Sequence, residues 1–136
     1  MALATPVLMI EKIMDYATEV DALTGKIRQN LELNEQYHNN AKKLEQDLSH
    51  LKDSAGLFAM GYGAKLNEVM EAQQIISRRF KDTDTINFVT NLAMTISRLD
   101  NVPLKLAAEN IESVILQFKL GPEEAKAVSN QMAVAA

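Results

Sequence analysis

Two histidines, His38 and His50, and 18 carboxylates are the residues of this 136-residue sequence best suited to hold a metal or move a proton. On one helix the histidines would sit roughly 18 Å apart, too far to share an ion. Glu35 and His38 make a single Glu-x-x-His spacing, where di-iron helical bundles use two on facing helices. The sequence has no His-Glu-x-x-His run and no cysteine, so zinc-helix and thiolate chemistry have no ligands to start from. No serine stands in a Gly-x-Ser-x-Gly elbow. Gly56, Gly61 and Gly63 lack the spacing of a phosphate loop or a dinucleotide fingerprint. Glu109 and Glu112 share one side of a helix and face away from the Ile111, Ile115 and Phe118 stripe on its inner side, as solvated carboxylates do. No catalytic residue, cofactor or metal site is therefore expected, and the reading is of a non-enzymatic protein.

Charge narrows the partners. The net charge is −4, from 14 basic and 18 acidic residues, so the footprint of a nucleic-acid binder is missing. The densest basic cluster, Arg78, Arg79 and Lys81, falls where a helix ends, and cations there favour the negative end of the dipole. An acidic partner is the sharper alternative for it. No apolar run reaches the roughly 18 residues of a membrane span. The apolar run Val7 to Ile10 has no basic segment before it, unlike a signal peptide. The compartment stays open, cytoplasmic by default or that of a mature exported or virion-associated chain.

The elements that would position these residues are all helices. Residues 6–53 contain no proline after Pro6 and one glycine, Gly25. Ile13, Val20, Ile27, Asn34, Ala41 and Leu48 recur every seven positions, one seam of a heptad pattern. The second seam runs through Ile10, Ala17 and Leu31, then shifts to Tyr37, Leu44 and Leu51. A continuous helix over 6–53 would be about 70 Å long. Asn30, Asn34, His38, Asn39 and Asn40 interrupt its apolar face. Asn34 either fixes register in a helix pair, or the helix kinks or breaks near 34–40. The absence of glycine and proline there favours continuity.

Residues 54–64 read as a glycine-punctuated turn made apolar by Leu57, Phe58, Met60 and Tyr62. Four shorter helices follow, at 65–81, 85–100, 103–120 and 122–133, each with apolar residues at steps of three and four. No stretch alternates with period two, so no sheet is expected. The fold class is all-α: one domain over 1–136, a long first helix, continuous or kinked near 34–40, and a bundle over 65–136. Aromatics make up only 5%, so Leu, Ile, Val, Met and Ala must fill the core.

This layout resembles the helical minor-pilus components of conjugative type IV secretion systems: a long N-terminal helix, a glycine-containing turn from Ser54-Ala-Gly56 to Met60-Gly61, and returning helices. The resemblance covers most of the chain, carries no specific motif, and assigns no residue a role. It implies an exported assembly component. The residues alone lead to a structural or assembly subunit that associates with itself or a larger complex. The expected interface is Ile13, Val20, Ile27, Leu31, Asn34, Tyr37, Leu44 and Leu48 along the first helix, with Leu57, Phe58 and Met60 at the turn. A monomeric adaptor, chaperone or inhibitor is the alternative, and it requires a break near 34–40.

Overall fold

The computed structural model describes residues 6–119 together with 121, 123, 124 and 127, and side chains from residue 14 onward. Five α-helices follow in order: α1 Pro6–Leu31, α2 Ala41–Tyr62, α3 Leu66–Ser77, α4 Thr83–Asp100 and α5 Leu104–Phe118, with a 3-10 turn at Glu35–Tyr37 between α1 and α2. No strand occurs among the described residues. The last expected helix, 122–133, lies almost wholly outside them.

The continuous helix over 6–53 is not formed. Asn34 leaves the helical region (φ −84°, ψ 131°) and its side chain accepts from Gln36 N, capping the 3-10 turn. Asn39 takes a left-handed φ of 59°, which asparagine tolerates better than most residues. Asn40 then caps α2 by accepting from Lys43 N. Three short amides that compete with the helical ladder thus do the work of a glycine or proline. Asn34 is a half-buried cap and not a register-fixing residue in a helix pair.

The turn expected at 54–64 is helix instead. Ser54 to Tyr62 continue α2, because Leu44, Leu48, Leu51, Ala55 and Ala59 keep one inward stripe through the segment. Gly56 and Gly61 stay helical, and only Gly63, at φ +68°, ends the helix, with its N–H returning to Ala59 O. The later helices begin and end within a few residues of expectation. Asp82 caps α4 through Thr85 N, and Asn101 closes it at φ 54°. α5 stops at Phe118, ahead of Gly121, because Lys119 turns left-handed at φ 51°.

Paired side chains give the helix directions. Glu19 meets Asn67 and Asn30 meets Ser77, so α1 and α3 run the same way. Glu71 meets Lys105 and Arg78 meets Glu112, so α5 runs with α3. Ser54 meets Asn87 and Tyr62 meets Asn91, so α2 and α4 run together, opposite to the other three. α3 packs against all four neighbours, and Val69, Met70, Ala72, Ile75 and Ile76 are buried along it. Ile27, Leu31, Leu51, Ile86, Val89, Ala108 and Ile111 close the core around them.

Candidate functional site

The described part of the expected first-helix interface is spent inside the chain. Val20, Ile27, Leu31, Tyr37, Leu44 and Leu48 are all buried in the core, Leu31 completely. The break at 32–40 folds α2 back along α1, so the two halves of the heptad seam cover each other and α3, and need no second chain. Arg28 of α1 bonds Glu45 of α2 across this hairpin at 2.7 Å. Ile13 lies in α1, and its side chain is outside the described residues. Leu57 and Met60 are 70% and 83% exposed, and Phe58 is half-buried against the core.

Three surface features remain. The first is the amino-terminal half of α1. Glu19 sits level with Asn67, at the first turn of α3, so Pro6 to Thr18 run past the start of α3 by roughly 20 Å, on the side where α2 and α4 end. Met14 through Glu19 are exposed without interruption, including Met14 and Tyr16. An amphipathic surface helix would hide every third or fourth residue over such a run. Ala17, expected on the second seam, is exposed with them.

The second is a shallow strip on the outer side of α2, where Ser49, Lys52, Asp53, Gly56, Leu57 and Met60 meet Leu66 of α3. The third is a cleft of about 310 Å³ at the end of the bundle where α2 and α4 stop and α3 and α5 begin. Its apolar lining is Ala64, Met94, Val102, Pro103 and Leu104, and Glu68, Ser97 and Arg98 stand around it. Tyr62 forms a further wall. Its hydroxyl bonds Asn91 Oδ1 at 2.9 Å and lies 3.2 Å from Thr95 Oγ1. The Arg98 guanidinium lies over its ring, 5.7 Å from the centroid, within cation–π range. Sequence reading did not single out Tyr62 with Arg98, because the spacing of 36 positions carries no local signal.

The groups first considered for chemistry are dispersed. His38 ends the 3-10 turn, giving its N–H to Glu35 O, so Glu35 and His38 belong to a turn and not to one face of a helix. Both histidines are exposed, and no group of three potential metal ligands occurs among the described residues. Arg78 and Arg79 both turn to Glu112 of α5, at 3.5 and 3.4 Å. Glu112, with its side chain only 13% exposed, is therefore an inter-helix ion-pair partner and not a solvated carboxylate. Lys81 Nζ donates to the carbonyls of Ser77 and Arg78 at the end of α3. Burial, with Arg79 nearby, holds the Lys81 pKa below its ordinary value. The basic cluster is thus occupied by the fold. No described helix is long and apolar enough to cross a membrane.

Tyr37 donates to Asp47 Oδ2 at 2.6 Å and ties the 3-10 turn to α2. Burial, followed by the hydrogen bond and charge of Asp47 and the charge of Asp82, pushes its phenol well above the usual tyrosine range. The chain matches no family model, no curated protein and no solved structure.

Proposed function

We propose that the protein is a non-enzymatic helical binding module that works by contact with another protein, and that the projecting half of α1 is its contacting element. The observation that carries this reading is the unbroken exposure of residues 14–19, with Met14 and Tyr16 among them. A lone helix shorter than about 12–15 residues is marginal in water, so a helical arm gains most of its stability from what it packs against. Met14 and Tyr16 are two positions apart and lie on opposite sides of the arm, so Met14 with Ala17, three positions on, is the pair that fits a groove of a partner, and Tyr16 is left for a second contact. The break at 32–40 supports the folded-back form of the chain, which the adaptor reading requires. A second reading, a subunit that assembles with copies of itself, draws on the exposed Leu57 and Met60, which add another apolar strip.

Light scattering after size exclusion, across a concentration series, separates the two. The binding-module reading expects one 15.1 kDa chain throughout. A defined multiple that reverts to one chain in Met14→Asp/Tyr16→Asp keeps the arm as the contact and makes the partner a second copy. A multiple untouched by those substitutions overturns the arm as the contacting element. Both residues are exposed, so the variant should unfold at the same urea concentration as the parent, within about 0.5 kcal/mol.

A further inference from the structure

The inward face of α2 changes character along its length. Its first half buries Leu44, Leu48 and Leu51, and its second half buries only Ala55 and Ala59. The large side chains that remain there, Phe58 and Tyr62, are only partly buried against the core, and polar contacts join them. Gln73 of α3 donates to the carbonyl of Leu51 at 2.9 Å, where the change occurs. Asn87 of α4 donates to Ser54 at 3.0 Å, and Tyr62 bonds Asn91 at 2.9 Å. Gly56 and Gly61 lie in this same half with open space where a Cβ would stand, so no close packing requires them. Helical glycine without a packing role weakens a helix. The outer side adds little, since Leu57 and Met60 are exposed. The half of α2 that fully buries no side chain larger than alanine therefore ends in Tyr62, a wall of the end cleft.

We propose that Ser54 to Tyr62 form a lid that opens by unfolding its helical turns together as far back as Leu51, and that its opening exposes the cleft wall at Met94. The lid is held shut by the Tyr62–Asn91 and Ser54–Asn87 bonds and by the Arg98 guanidinium stacked on the Tyr62 ring. Buried alanines, the partly buried rings of Phe58 and Tyr62 and the polar contacts separate from their neighbours at less cost than the buried Leu44, Leu48 and Leu51, so opening stops at Leu51. This device does not depend on the arm of α1 or on its partner.

Native-state hydrogen exchange at rising urea tests the lid on the intact chain. The amides of 57–62 are expected to exchange through an opening almost independent of urea, while those of Val69–Ile76 and Ile86–Ile96 require a strongly urea-dependent one. Tyr62→Phe keeps the ring and removes the hydroxyl, and should speed exchange of 57–62 about tenfold. Gly56→Ala/Gly61→Ala should slow it up to about 30-fold. If 57–62 follow the same urea dependence as the α3 and α4 amides in the parent protein, α2 is one unit with the core and the lid does not exist. If Tyr62→Phe leaves exchange at 57–62 unchanged, the hydroxyl is not what holds the lid.

Discussion

Tyr37 makes the fold sensitive to alkali. Its ordinary pKa is 10.0, and in the folded chain burial and Asp47 push it up. The unfolded chain therefore releases this proton before the folded one does. Below about pH 10 both states hold the proton and the full stability is present, and stability falls as pH rises further. Lys81 works in the opposite sense just below that range, since its lowered pKa makes the unfolded chain hold the extra proton there. Comparing Tyr37→Phe with the parent isolates the phenol. The variant should lose about 1–2 kcal/mol at pH 8, from the hydrogen bond to a charged acceptor, and should decline less between pH 10 and 11 in urea titrations. Residue-scale chemistry was the least legible part of the sequence. Tyr37 read as an apolar seam position, which its buried ring honours, but its hydroxyl partner lies ten positions on, across the 3-10 turn. Glu112 read as solvated because Arg78 and Arg79 come to it from another helix.

At the scale of elements, periodicity located α3, α4 and α5 well, because each has a stripe of large apolar residues wide enough to fix its inner face. It failed at the two ends of α2 for opposite reasons. The start of α2 depends on side-chain caps at Asn34 and Asn40, which compete locally with the helix and leave no mark in an apolar pattern. Its second half carries glycines that read as a turn, yet Ala55 and Ala59 pack well enough to hold helix. Phe118 shows the converse error: its spacing matched the inner stripe of α5, but the helix ends there and leaves it 65% exposed. Gly25 lies within α1 with open space around its missing Cβ. Gly25→Ala should stabilise the protein by about 1 kcal/mol in urea unfolding. Gly63→Ala should destabilise it by about as much, because φ is +68° there.

For the molecule as a whole, composition made the fold class legible and the topology only partly so. The apolar residues of 20–48 were rightly seen as needing a neighbour, but the neighbour is the same chain. A heptad pattern states that a helix has a partner and not which chain supplies it. One short segment of asparagines decides between an extended rod and a folded-back bundle. Leu57 and Met60, expected at an interface, are exposed, while the exposed run at residues 14–19 of α1 has no counterpart in the apolar pattern.

The 3-10 corner also sets an order of events in time. α1 and α3 run in the same direction, so neither can reach the other until α2 has turned back between them. The most extensive packing, α1 on α3 and α3 on α5, joins helices that are not consecutive, so it waits on reversals of the chain. The corner is therefore expected to form in the folding nucleus. Asn40→Ala, which removes the cap at Lys43 N, should cost about 1 kcal/mol and express that loss in the folding limb of a stopped-flow chevron, leaving the unfolding limb nearly unmoved. If the loss falls in the unfolding limb instead, the corner closes after the rate-limiting step.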